Sequence, residues 1–328
     1  MLVLKFSAQD VARTRLAISP LWEVVTSVQT LKEPRRHAPH LRWVERSQQQ
    51  LRQQRVSMEL LSALVPVPSY YIPDFLTPVP ATAAPTIEDE LAVLVATTPE
   101  EVRADLHRMK RPLAPELGAM YSDPVGGLNQ LATEIRSYWE RVLAAYWPRM
   151  QRLLDGEILY RARTMVQDGA AGLFADLHPQ ISWRDDTLTV AHPWYEATRQ
   201  LTNGRGLVLV PSVFAWPGVF SQTNPPGQPG LVYPARGVGA VWQVGLGPVP
   251  KGLARVLGNS RALLLSELGM PASTTELASH LKMSAANVSH HLTTLREAGL
   301  VRAFRTGHSV LYVRTAVADE LLTTSLEE

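Results

Sequence analysis

The residues that invite chemistry lie in two adjoining stretches. The first is Ser284-Ala-Ala-Asn-Val-Ser-His-His-Leu-Thr-Thr-Leu-Arg296. Ser284 is a helix N-cap by type, and Val288, Leu292 and Leu295 fall on one face at helical spacing. That leaves Ser284, Ala286, Asn287, Ser289, His290, Thr294 and Arg296 off the buried face. Small and polar side chains on the first two turns let a helix sit deep in the DNA major groove, with donors and acceptors toward base edges. The second stretch, Leu300–Arg314, reads as two short strands hinged on Thr306-Gly-His-Ser309. It offers Arg302, Arg305, His308 and Ser309 to phosphates or the minor groove, with Arg314 as a further backbone contact. His290 is expected to face DNA and His291 to pack beside the core. Neighbouring helical positions point in different directions, which argues against metal binding by this pair.

Other chemistries find little support. Cysteine is absent, which removes disulfides, thiolate nucleophiles and thiolate metal sites together. No Gly-rich phosphate loop, nucleophile elbow or His-Glu-x-x-His pattern occurs, so neither an enzyme nor a cofactor is expected. Asp176, His178, His192 and Glu196 lack tight ligand spacing and read as polar side chains facing water rather than a metal site. His37 and His40, with Arg35, Arg36 and Arg42, form either an anion or second DNA-contact surface or a solvated basic loop. Core packing accounts for most of the aromatic residues between 139 and 242. Trp183, Trp194, Tyr195 and Trp216 frame a candidate apolar pocket for a small organic effector.

The elements that must position these groups imply two domains in 328 residues. Residues 251–328 form one. Residues 1–250 form a helical or mixed regulatory and dimerisation body, with sub-boundaries near 66–86 and 170–180. The net charge of +2 is too small to argue for nucleic acid on its own. Residues 1–60 carry ten Lys/Arg against five Asp/Glu, residues 61–250 fourteen against eighteen, and residues 251–328 eight against seven. DNA attraction by the last domain must therefore come from local placement of charge. No basic leader followed by an apolar run opens the chain, and no membrane-length apolar stretch is present. A cytoplasmic protein without membrane contact is expected.

Ser7–Asp10 and Ser19-Pro20 signal early helix starts after an apolar-alternating strand at Leu2, Leu4 and Phe6. The proline-dense run holding Pro66-Val-Pro68 and Pro78-Val-Pro80 reads as an extended connector. Helices are expected over Ile87–Ala96, Pro99–Met109, from Asp123-Pro124 to about Trp147, and from Pro148 to about Val166. Strands follow at Ile181–Val190, within Gly206–Trp216 and at Gly230–Pro234, and Gly245–Gly252 links to the last domain. There Leu253–Leu268 makes a helix or broken pair, and Ser273-Thr-Thr-Glu276 is a capping box. Gly299 ends the Ser284 helix. The fold class is mostly α with a small β component (α+β), closing in a winged helix-turn-helix.

The segment Leu277-Ala-Ser-His-Leu-Lys-Met-Ser-Ala-Ala-Asn-Val-Ser-His-His-Leu-Thr-Thr-Leu-Arg-Glu-Ala-Gly-Leu-Val301 resembles the core motif of ArsR-type winged-helix repressors. The wing Arg305-Thr-Gly-His-Ser-Val-Leu-Tyr312 is similar to that family's too, and the likeness covers about residues 253–320. It implies a transcription regulator, commonly a repressor, acting as a homodimer on a pseudo-palindromic operator. Many members sense metals through a cysteine motif on the helix at Thr275–Leu281, which this sequence lacks. The terminal helix, Val317–Leu326, also lacks the His/Asp ligand set of the family's other metal site. Input without metal through the N-terminal body is therefore expected. Val11-Ala-Arg-Thr-Arg-Leu-Ala-Ile-Ser-Pro-Leu-Trp-Glu23 and His37-Ala-Pro-His-Leu-Arg-Trp43 resemble a domain of unknown function found ahead of ArsR-like winged helices in long bacterial regulators. That resemblance implies no activity. An enzyme or a protein-interaction scaffold with an appended winged helix is the alternative reading.

Overall fold

Seven of the nine α-helices described in the N-terminal unit begin at a side-chain cap or carry a proline in their first two positions. The computed structural model describes residues 1–324 except 69, 110–112, 192–196, 202–203, 224–227, 243–250, 269–271 and 307–308. The chain divides into two compact units, Met1–Val238 and Gly239–Glu328. The first holds α1 (Ala8–Ala12), α2 (Pro20–Lys32), α3 (Leu41–Gln54), α4 (Glu59–Leu64), α5 (Ile87–Val95), α6 (Pro99–Arg108), α7 (Pro115–Ser122), α8 (Pro124–Tyr138) and α9 (Trp147–Phe174). Ser7, Thr86 and Thr98 each close a capping box with an acid three residues on, which fixes where α1, α5 and α6 start. Ser19 accepts from Trp22 N at the head of α2, with Pro20 at the first helical position.

Two four-stranded sheets complete this unit. Its strands are β1 (Leu2–Lys5), β2 (Arg15–Leu16), β3 (Ile181–Arg184), β4 (Thr187–Val190), β5 (Ala197–Gln200), β6 (Val208–Ser212), β7 (Phe220–Gln222) and β8 (Gly230–Pro234). One sheet has the order β3-β4-β1-β5, with β1 antiparallel to β4 and parallel to β5. The other has the order β2-β6-β8-β7, parallel except for β7 against β8. The β3–β4 turn is Asp185-Asp186, both left-handed. β2, β5 and β7 carry no comparable signal and are additions to the sequence reading. Gly206 is required where it stands: its φ is +70° and a Cβ would lie 2.4 Å from the Arg13 backbone.

α2 is buried on nearly all sides, polar residues included. Thr26 and Thr30 turn their hydroxyls onto the carbonyls four residues back, and Ser27 shares a 2.8 Å hydrogen bond with the Tyr138 hydroxyl. Glu90 accepts from Ser19 Oγ at 2.6 Å and from Leu21 N at 2.7 Å, clasping the start of α2. Burial pushes the Glu90 carboxyl up to about 7. Glu23 accepts from Val213 N at 2.8 Å and is pushed up to about 8, again by burial. A buried ion network closes the far side. Glu157 accepts from Arg161 Nε and Arg236 Nε, each at 2.7 Å, and Arg161 donates onward to the Ala175 and Asp176 carbonyls.

His37 and His40 correct the solvated-loop alternative. Both are buried, His40 packing its ring 4.9 Å from Phe214, while Arg35 and Arg36 are exposed. Burial, reinforced by the neighbouring His37, holds His40 down to about 3, so it carries no charge at neutral pH. Among the described residues of the connector at 66–86 the helical turn is Asp74–Leu76, and the connector is anchored rather than loose. Tyr71 Oη donates to Asp105 Oδ1 at 2.8 Å, Phe75 N donates to Asp105 Oδ2 at 3.0 Å, and Arg108 bridges Asp74 and Asp105. No helix among the described residues is long and apolar enough to cross a membrane.

Candidate nucleic-acid interface

The C-terminal unit is built around a small apolar core. Its helices are α10 (Lys251–Leu257), α11 (Asn259–Glu267), α12 (Thr274–Leu281), α13 (Ala285–Glu297) and α14 (Ala316–Thr324). Its strands are β9 (Ala272–Ser273), β10 (Val301–Thr306) and β11 (Ser309–Arg314), in the order β10-β11-β9. Leu264, Leu265 and Leu268 from the α11 region meet Val288, Leu292 and Leu295 of α13, with Leu300 and Val301 leading into β10. The Ser273–Glu276 capping box opens α12 as expected. β9 was not expected, and its pairing of Ala272 with Tyr312 ties the start of α12 to the hairpin.

The turn between α12 and α13 has three residues. Lys282 adopts the left-handed conformation (φ 53°) and returns its N–H to Ala278 O, which ends α12. Ser284 then caps α13, its Oγ accepting from Asn287 N at 3.2 Å. This short turn sets two helices at the geometry of a helix-turn-helix. α13 ends at Gly299, whose φ of +72° suits a residue without a side chain.

The burial of α13 divides its two faces cleanly. Val288, Leu292 and Leu295 are buried, while Ser284, Ala286, Asn287, Ser289, His290 and Arg296 are exposed and Thr294 is half-buried. All seven residues expected to look outward thus lie off the core. Thr294 spends its hydroxyl on His290 O at 3.2 Å, leaving its methyl for contact. His291 is half-buried with Nδ1 enclosed and unpartnered. Burial, then the charges of Arg261 and His290, hold it below the usual histidine range. His290 and His291 therefore part ways, one to solvent and one to the core.

The hairpin pairs Val301 with Arg314 through Thr306 with Ser309. Arg302 is exposed on β10. Arg305 and Ser309 stand in the last two rungs before the turn, and His308 lies outside the described residues. Arg314 sits at the base of the hairpin and donates to Leu265 O at 3.3 Å, so it braces the domain.

Of the residues proposed for an effector pocket, Trp183 and Trp216 are described. Trp183 stacks on Phe174 at 4.5 Å and meets Phe6 edge-on at 5.1 Å, inside a core cluster. Trp216 is 38% exposed. Trp194, Tyr195, His192 and Glu196 lie outside the described residues. Neither Trp183 nor Trp216 lines the 620 Å³ cavity of the N-terminal unit. No curated protein and no solved structure matches the chain. Residues 263–303, from α11 to the start of β10, match the family model described as bacterial regulatory protein, arsR family. The chain therefore carries an ArsR-family helix-turn-helix domain at its C-terminal end.

Proposed function

We propose that this protein is a DNA-binding transcription regulator and not an enzyme. In this reading it is a repressor that binds a pseudo-palindromic operator as a homodimer. α13 enters the major groove, and the β10–β11 wing lies on the backbone or in the minor groove. Input reaches it through the N-terminal unit without a metal. The observation that carries the reading is the outward face of α13, where Ala286, Asn287, Ser289 and His290 form a small, polar surface beside a short helix-turn-helix turn.

The test is a mobility-shift titration with the DNA immediately upstream of the gene. Asn287→Ala should weaken specific binding by about 1–3 kcal/mol and relax preference at the base it reads. Arg302→Ala should weaken binding to all sequences alike and flatten the salt dependence by about one charge. Binding that is insensitive to salt, or unchanged in Asn287→Ala, would overturn the reading.

A further inference from the structure

The N-terminal unit contains a cavity of 620 Å³ that the DNA-binding surface does not use. That volume is in the range of small-molecule sites. Its walls come from α2, the anchored connector, β5 and the segment around β7. Trp22 and Phe220 supply an apolar side, with ring centroids 5.5 Å apart, and Ile72 and Val219 extend it.

The charged lining is asymmetric. Arg36 is engaged by Glu33 at 3.2 Å and Arg108 by Asp74 at 3.1 Å. Arg199 also lines the cavity, and it makes no ion pair among the described residues. Among the described lining residues, one positive charge therefore stands uncompensated by the acids. Gln222 is held in the cavity wall, its Nε2 donating to Asp74 O at 3.2 Å.

We infer that this cavity binds a small organic monoanion with a flat apolar body. The acid group meets Arg199, and the body packs on Trp22 and Phe220. Its role as the regulator's effector site rests on the proposed DNA-binding function. Its existence as a site does not.

The experiment uses the full chain and two dyes that share their rings and an N–H group. One is 8-anilinonaphthalene-1-sulfonate, a monoanion. The other is the neutral N-phenyl-1-naphthylamine. Fluorescence titration should show saturable binding of the sulfonate at one site. Arg199→Gln, a change at an exposed residue, should weaken the sulfonate by about fivefold and leave the neutral dye nearly unchanged. Circular dichroism should confirm that the variant is folded. Unsaturable binding, or equal sulfonate affinity in Arg199→Gln, overturns the proposal. The same preparations, free of dye, are titrated with the upstream DNA. Loss of the DNA shift with the dye result intact overturns the regulator reading only; the converse overturns the cavity alone.

Discussion

Glu23 is a carboxyl enclosed in the middle of the N-terminal unit, and its titration gives a direct handle on that unit's stability. Below pH 4.5, its ordinary value, the group is protonated in folded and unfolded chains alike. Between 4.5 and about 8 the unfolded chain releases the proton while the folded one holds it. Stability is thus full in acid and drains away as pH rises through this window. Glu90, raised to about 7, adds to the same slope. The melting temperature of the N-terminal unit should fall by about 3–8 °C between pH 6 and 9, and Glu23→Gln should remove much of that fall in a calorimetric series. A flat profile in the unmodified protein would contradict the burial described for both carboxyls. At this scale the sequence was legible where a side chain's role follows from its own helix. Asn287, Ser289 and His290 face outward because Val288, Leu292 and Leu295 must face inward. It was opaque for Glu23, Glu90 and Glu157, since nothing local says that a glutamate is buried. Their partners stand at Val213, Leu21 and Ser19, and Arg161 and Arg236, mostly far along the chain.

Helix starts were the most readable elements because a cap and its helix lie within four residues of one another. Ser7, Ser19, Ser273 and Ser284 all cap where the sequence places them. The short strands β2, β5, β7 and β9 were not readable, because two to four residues show no period and exist only through a distant partner. β6 carries Pro211, which argues against a central strand. It is accommodated because β2 pairs only with Val208 and Leu209, so Pro211 has β8 alone beside it. Two elements invite direct tests. Ser284→Ala removes the α13 cap and should cost about 1 kcal/mol in the C-terminal unit, seen as a lower denaturant midpoint. Arg161→Ala leaves Glu157 buried with one exposed partner, Arg236, and uncaps the Ala175 and Asp176 carbonyls. That change should cost about 3–5 kcal/mol in the N-terminal unit, whereas Arg236→Ala, at the exposed end, should cost far less. Equal losses in the two variants would place the strength of the network elsewhere.

Two compact units with separate cores make the molecule modular, and the family match confines its recognisable chemistry to the smaller one. Calorimetry of the full chain should therefore resolve two transitions, only one of which responds to Glu23→Gln. Sedimentation should return a dimer if the proposed operator symmetry is correct. The larger unit was legible as a mixed, mainly helical body, but its sheets were not, since their strands are collected from both ends of the unit. That gathering has a consequence for how the protein is made. β1 lies inside its sheet, with Leu2 opposite both Val190 and Ala197. This strand is flanked by strands that leave the ribosome nearly two hundred residues after it. At translation rates of about 5–20 residues per second, Leu2, Leu4 and Phe6 wait roughly 10–40 s before their neighbours exist. During that interval an apolar strand has open edges on both sides, and the nascent chain is at its most vulnerable to misassociation before the sheet can close.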